Sequence, residues 1–207
     1  KHIYLNLKRF DVPVEMGGVN RIAPLSDWAA YIVEQTQEEL RKYDPQKAEF
    51  CMYFPEMHLL PALSARKEDS PVQVGCQSVF RDDVKQGGNF GAFTTNRPAA
   101  SMAAAGCVST IIGHCEERND KAGVLAEAGV TDTDAVNRLL NKEIKCAIDR
   151  GLSVLYCIGE KSEEQEQWQE VLGKQLSIGL EGVDVSKVVI AYEPIWSIGP
   201  GKQPADK

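Results

Sequence analysis

Short runs rich in β-branched or aromatic residues recur along the chain, which is typical of strands. They cover residues 2–7, 49–54, 72–76, 108–113, 153–158 and 187–192. Between them, apolar residues recur with helical spacing over residues 26–42, 59–66, 98–105, 133–150 and 162–180. Gly106 and Gly151 stand where a helix must end before the next strand. Strand and helix in strict alternation predict a parallel α/β sheet.

Two architectures fit this order of elements: an open doubly wound sheet and a closed (βα)8 barrel. Several runs are apolar without alternation, as expected of strands that are buried on both faces. An open dinucleotide-binding sheet carries a glycine-rich turn after its first strand, but no glycine occurs here before Gly17. In a barrel, polar residues gather at the carboxyl ends of the strands. The chain shows such residues at Asn6, Lys8, His114, Glu116, Glu160 and Glu193. The sequence therefore favours the (βα)8 barrel.

Composition narrows the function classes. The 207 residues predict one domain, and 43% hydrophobic residues are enough for a sizeable core. A net charge of −7 disfavours a nucleic-acid groove, which needs clustered positive charge. No apolar run is long enough to span a bilayer, and no signal peptide is visible, so we expect a cytoplasmic protein without a membrane partner.

The cysteines and histidines give no sign of a metal or a disulfide framework. Six cysteines occur, none in a CxxC pair, and most lie within or beside apolar runs, which indicates buried thiols. The three histidines are far apart and lack zinc-ligand spacing. The sequence predicts no metal and no cofactor.

Lys8, His114 and Glu193 are the candidates for chemistry, because strand ends of a barrel meet on one face. A carboxylate can remove a proton next to a carbonyl, a neutral imidazole can donate a hydrogen bond to the developing oxyanion, and an ammonium can hold negative charge. Each residue alone also has a purely structural explanation. Lys8 can be part of the polar rim of a strand end, His114 can be a structural hydrogen-bond donor, and Glu193 can simply end a strand before Pro194. Their combination suggests a small-molecule site without naming the reaction.

Several segments then resemble the triosephosphate isomerase family, whose fold is the TIM barrel. Residues 114–118 (His-Cys-Glu-Glu-Arg) are similar to its Gly-His-Ser-Glu-Arg-Arg motif, and residues 192–202 resemble its catalytic glutamate and flexible loop. Asn-Leu-Lys at 6–8, Cys-Ile-Gly-Glu at 157–160 and Gly-Ala-Phe-Thr at 91–94 also match family motifs. These matches extend from residue 6 to residue 202, in the order and spacing of the family.

The resemblance implies a role for each matching position. Glu193 would be the general base, His114 the neutral electrophile and Lys8 the electrostatic stabiliser. Asn6 would support the substrate, Glu116 would order the surroundings of His114 and Lys8, and the backbone N–H of Gly199 would meet the phosphate. The reaction would interconvert dihydroxyacetone phosphate and D-glyceraldehyde 3-phosphate, a step of glycolysis and gluconeogenesis. The resemblance also implies a homodimer through the loop that carries Phe93 and Thr94.

The sequence departs from the family at positions that bear on substrate and assembly. Cys115 replaces a serine and Glu117 an arginine of the histidine motif, and Thr95-Asn96 replaces Gly-Glu in the interface loop. Pro200 stands at the loop tip, and the connection 11–24 is longer than usual. Two alternatives therefore stay open: an isomerase of a longer phosphosugar, such as a tetrulose phosphate, and a non-catalytic relative with the same fold.

Six strands are fewer than the eight of this barrel, which takes about 250 residues. We expect residues 1–207 to form a single TIM-barrel domain that lacks its last two βα units, with the chain incomplete at its C-terminus. The family's remaining phosphate-binding residues, a serine and a Gly-Gly pair after strands seven and eight, have no counterpart here.

Overall fold

A computed structural model describes residues 1–197. Its strands are β1 (His2–Asn6), β2 (Glu49–Phe54), β3 (Val72–Gln77), β4 (Ser109–Ile112), β5 (Ser153–Ile158) and β6 (Val188–Tyr192). Its α-helices are α1 (Trp28–Leu40), α2 (Leu59–Ala65), α3 (Ala99–Ala105), α4 (Cys115–Glu127), α5 (Thr133–Asp149) and α6 (Trp168–Gly179). The predicted alternation of strands and helices is confirmed, and no strand bound differs from its predicted position by more than one residue.

The described residues group into two compact units. The first comprises Lys1–Gln77 and Ala100–Thr110, and the second comprises Ser78–Ala99 and the chain from Ile111 onward. The expectation of one domain over residues 1–207 stays a prediction, and each unit is described by itself.

The first unit is built on parallel strands in chain order. Strand β1 pairs with β2 from His2↔Glu49 to Asn6↔Tyr53, and β2 pairs with β3 from Phe50↔Val72 to Phe54↔Cys76. The Val108 N–H donates to the carbonyl of Val74 in β3, 3.1 Å away. Val108 immediately precedes β4, which lies next to β3 in the sheet. The core packs Trp28 of α1 edge-on against Phe54, with 6.0 Å between ring centroids.

The second unit continues from the last residues of β4 through β5 to β6, again in chain order. Strand β5 pairs in parallel with β6 from Val154↔Val188 to Ile158↔Tyr192. Helix α5 begins at an N-cap, since the Asp132 carboxylate accepts from the Asp134 N–H. Its inner face buries apolar side chains at helical spacing, namely Val136, Leu140, Ile144 and Ala147.

Two differences from the predicted elements have physical reasons. Helix α4 was not predicted, because its residues form no apolar stripe and Arg118 is the one side chain that it buries. The predicted helix 162–180 is divided into a 3-10 segment, Ser162–Gln167, and α6. The 3-10 segment is polar throughout, so it has no apolar face whose burial would extend α6 toward its N-terminus.

Gly106 (φ +106°) and Gly151 (φ +79°) adopt the left-handed conformation that ends a helix, as predicted. All six cysteines are thiols, and the prediction of buried thiols is confirmed for Cys51, Cys76, Cys107 and Cys157. Among the described helices, none has the length and apolar character to cross a membrane.

Candidate active site

His114 follows β4 and is the N-cap residue of α4. Its Nδ1 accepts the backbone N–H of Glu116, 3.3 Å away, so this nitrogen is the acceptor of the ring. In the neutral imidazole the proton then sits on Nε2. The backbone therefore engages Nδ1 and leaves Nε2 as the ring nitrogen that faces Glu193.

Glu193 directly follows β6, and its carboxylate lies beside the imidazole of His114 within the second unit. Its Oε1 lies 3.0 Å from Nε2 of His114, and its Oε2 accepts the Cys115 N–H at 3.0 Å. Burial by itself would raise the pKa of Glu193, but the contacts with His114 and Cys115 outweigh it and lower this pKa. The side chains of His114 and Glu193 remain 18% and 20% exposed. A charged carboxylate and an imidazole donor are thus together, within reach of solvent.

Close backbone packing holds Glu193 in this position. Its N–H donates to the carbonyl of Ile158, 2.7 Å away. A Cβ on Gly159 would come within 1.8 Å of the Glu193 carbonyl oxygen, so glycine is required there. The buried side-chain amide of Gln175 accepts the Gly159 N–H and donates to the Gly159 carbonyl, both at 2.9 Å. These two hydrogen bonds hold Gly159 in place just after β5, where it packs against the backbone of Glu193.

Glu160 is fully buried and is bound by residues on both sides of Glu193 in the chain. Its carboxylate accepts the Tyr192 hydroxyl at 2.9 and 3.1 Å and the Trp196 indole N–H at 2.9 Å. These bonds compensate the burial of a carboxylate. They also tie the segment just after Glu193 to the end of β5.

Arg118 joins the ends of β4 and β5. It is buried and donates to the carbonyls of Gly113 and Cys157, to Asn137 and to the Tyr156 hydroxyl, at 2.8 to 3.0 Å. The Gly113 peptide group immediately precedes His114. Arg118 is the single buried side chain of α4, and its bond to the Gly113 carbonyl holds the backbone that precedes His114.

Lys8 and Asn6 belong to the first unit. Lys8 has a φ of +42°, which is strained for a residue with a side chain. Its N–H donates to Asn6 Oδ1 at 3.0 Å, and the Gln77 amide donates to Asn6 Oδ1 and to the Lys8 carbonyl. Strain that hydrogen bonds maintain is common at functional sites, which supports Lys8 as a site residue.

Two predicted site residues remain, Glu116 and Gly199. Glu116 is exposed, and its backbone N–H donates to Nδ1 of His114. Gly199 lies outside the described residues. The sequence did not predict Gln77 and Gln175 as residues that support the site, and it did not predict that Arg118 binds the backbone next to His114. Neither glutamine leaves a local signal in the sequence, because its strand or helix carries other polar residues, such as Gln73 and Lys174.

His114, Cys115 and Glu193 also offer metal-ligand atoms that lie within 4.8 Å of one another. These residues could hold a metal ion, since imidazole, thiolate and carboxylate are all zinc ligands. The absence of a metal stays a prediction. Without a metal, an ionised carboxylate beside an imidazole N–H is an arrangement that can support proton abstraction next to a carbonyl.

Comparison with known proteins places this geometry in context. Residues 26–207 match the family model of triosephosphate isomerase. A triosephosphate isomerase of Syntrophotalea carbinolica is 37% identical over 71% of this chain and 53% of its own length. Another, of Dictyoglomus thermophilum, is 34% identical over 79% of this chain and 59% of its own. The chain therefore spans a little more than half the length of these curated relatives.

A solved structure gives the fold. The crystal structure of triosephosphate isomerase from Bartonella henselae matches with a TM-score of 0.67 at 23% identity, covering 94% of this chain and 68% of that one. At this identity the likeness shows the fold, and it confirms the (βα)8 barrel class for the six strands and the helices between them that the structure describes.

Proposed function

The chain belongs to the triosephosphate isomerase family, and from this premise we propose that it is an aldose–ketose isomerase of a small phosphorylated sugar. The preferred reaction interconverts dihydroxyacetone phosphate and D-glyceraldehyde 3-phosphate through an enediolate. The observation that carries the proposal is the approach of Glu193 to Nε2 of the N-capping His114.

In the proposed mechanism Glu193 removes a proton from the carbon next to the substrate carbonyl. The electron pair of the C–H bond moves into a new C=C bond, and the carbonyl oxygen becomes an enediolate oxygen that accepts a hydrogen bond from His114 Nε2–H. The hydroxyl on the deprotonated carbon then gives up its proton and the enediolate oxygen gains one, both through His114 Nε2, so that the new carbonyl can form. Glu193 returns its proton to the carbon that carried the original carbonyl. The lowered pKa of Glu193 means that the carboxylate is ionised at neutral pH, although it also weakens the carboxylate as a base, so the geometry carries this assignment.

The family's motifs suggest further roles, which we propose for the matching residues. Lys8 stabilises negative charge on the substrate, Asn6 supports the substrate and positions the Lys8 backbone, and Glu116 orders the surroundings of His114. Gly199 would give its backbone N–H to the phosphate. The strained Lys8 backbone and its bonds to Asn6 support the first two assignments.

A longer phosphosugar, such as a tetrulose phosphate, is the second candidate, and the connection after β1 favours it. This connection is well built: the Asn20 amide donates to the carbonyls of Asp11 and Ala23, and Pro13 and Asn20 form an isolated bridge. A Cβ on Gly18 would come within 2.0 Å of the Val12 carbonyl oxygen. A long connection held this firmly can reshape the rim of a substrate site.

We further propose a homodimer in which the loop with Phe93 and Thr94 contacts the second subunit. Phe93 packs edge-on against Phe80, with 6.2 Å between ring centroids, and is half-buried. Phe90 on the same loop is 78% exposed, so it offers the larger apolar surface to a partner. A cytoplasmic location and a place in carbohydrate metabolism follow the same proposal.

The test compares kcat/KM of the complete protein for triose and tetrulose phosphates, because this ratio measures differential transition-state binding. We expect isomerisation of at least one of them. A preference of a hundredfold or more for triose phosphate would exclude the longer sugar. No turnover of either substrate would leave the non-catalytic relative as the better account.

A further inference from the structure

Glu117, which stands where the family's histidine motif has an arginine, points inward and binds the backbone next to His114. Its Oε2 accepts the Gly113 N–H at 2.7 Å. Its Oε1 accepts the Ser78 hydroxyl and also contacts the Lys121 ammonium at 3.1 Å. The Glu117 side chain is only 15% exposed. A single carboxylate therefore joins a peptide group at the end of β4 to the start of the connection after β3.

Gly113 is held from both sides. Glu117 binds its N–H, and Arg118 donates to its carbonyl at 2.8 Å. Gly113 has a φ of +85°, and a Cβ there would come within 2.7 Å of the Cys157 carbonyl oxygen. Because Gly113 immediately precedes His114, a rotation of this peptide group would turn the imidazole away from Glu193.

Charges around Glu117 explain how it stays an acceptor when buried. Lys121 lies between Glu117 and Glu143, at 3.1 and 2.9 Å. Burial, followed by the charge of Glu117, raises the pKa of Glu143 to about 8, so Glu143 is largely protonated at neutral pH. Burial opposes the charge on Glu117 as well, but Lys121, Ser78 and the Gly113 N–H together lower the pKa of Glu117. The cluster thus keeps its one full negative charge on Glu117.

Ser78 shows that the contact constrains the backbone. Its φ of +71° is uncommon for a residue other than glycine. Such a conformation persists only when its surroundings hold it, and the bond from its hydroxyl to Glu117 does so. The connection that starts at Ser78 is closed where the Phe80 N–H donates to the Arg97 carbonyl at 2.8 Å.

We infer that Glu117 is a positioning residue for His114, acting through the Gly113 N–H, and that it locks the start of the connection at Ser78 to the same peptide group. The inference rests on the proposed isomerase function. Glu117 does not touch the substrate, and its role is to hold the imidazole at the angle at which Nε2–H meets the substrate oxygen.

The test compares Glu117→Ala and Glu117→Gln with a matched control, Asp120→Ala, which removes a carboxylate from an exposed position of the same helix. Glu117→Ala should lower kcat by about 10- to 100-fold, the scale of a misplaced catalytic group, with little change in KM. Glu117→Gln should retain most of kcat, because its amide oxygen can still accept the Gly113 N–H. Asp120→Ala should resemble the parent.

A second measurement separates positioning from general damage. Hydrogen exchange of the Gly113 amide should be faster in Glu117→Ala than in Glu117→Gln or the control. If Glu117→Ala fails to fold, Glu117→Asp replaces it, since it keeps a charge near Lys121 but withdraws the carboxylate by one methylene. A folded Ala or Asp variant with the control's kcat, or a Gln variant as impaired as Ala, would overturn the inference. An inactive parent would instead refute the proposed function, and the Gly113 exchange would still test the contact.

Discussion

At the scale of single residues, the candidate site depends on backbone atoms as much as on side chains. The N–H of Glu116 sets the acceptor nitrogen of His114, and the N–H of Cys115 binds Glu193. The geometry of the pair is therefore determined by the first turn of α4 and by the residues that brace it. Substitutions that move this backbone should affect activity as strongly as loss of a reacting group.

Gly159→Ala tests this backbone argument. The new Cβ would overlap the Glu193 carbonyl oxygen, so we expect a loss of stability of about 1 to 3 kcal/mol from overpacking and a fall in kcat. Gly173→Ala in α6 is the matched control, since open space surrounds that position and alanine favours a helix by roughly 0.5 to 1 kcal/mol. Thermal unfolding of both variants measures the effect, and a Gly159→Ala protein as stable as the parent would contradict the packing.

At the scale of elements, the buried cluster on α4 and α5 should give the protein a distinctive pH dependence. The pKa of Glu143 is raised from 4.5 to about 8, chiefly by burial, so the folded state retains a proton that the unfolded state releases. The stability from this group is full below pH 4.5 and is lost as the pH rises through 8.

Glu143→Gln removes that titration. We expect the difference in unfolding free energy between parent and variant to shift by at least about 1 kcal/mol in favour of the variant between pH 5 and pH 9. Urea unfolding at a series of pH values measures it. Parallel stability curves for the two proteins would show that Glu143 does not bind this proton.

The strands and helices also show how much of the fold and of the site the sequence predicts. Apolar runs predicted all six strands, because strands buried on both faces leave a local signal. Helix α4 left none, since it buries an arginine and no apolar stripe. His114 and Glu193 could be predicted from their places after strands, whereas Gln175 and Glu117 could not. Their hydrogen bonds reach backbone groups that only the folded chain brings near.

At the scale of the whole molecule, the prediction is a homodimer with weak salt dependence. The family's charged pair at the interface is absent here, and the structure turns Glu117 inward to Gly113 and Ser78. Packing of Phe90 and Phe93 should dominate, and each large aromatic side chain contributes about 2 kcal/mol when buried. Sedimentation of the complete protein at low and high ionic strength should give similar dimer fractions.

Phe90→Ser gives the matched variant, because it removes the most exposed aromatic ring of the loop without touching the Phe80–Phe93 contact. It should weaken the dimer. A parent protein that sediments as a monomer with full activity would refute the assembly and leave the chemistry unaffected.

The central claim is that Glu193 transfers a carbon-bound proton through an enediolate, and isomerisation in D₂O followed by NMR tests it most directly. The complete parent protein should place deuterium on the carbon next to the carbonyl as it interconverts the phosphosugar. Glu193→Gln keeps the shape of the side chain but loses the acceptor, so both conversion and deuterium incorporation should fall by roughly 10²- to 10⁴-fold. Equal conversion by the parent and Glu193→Gln would contradict the account.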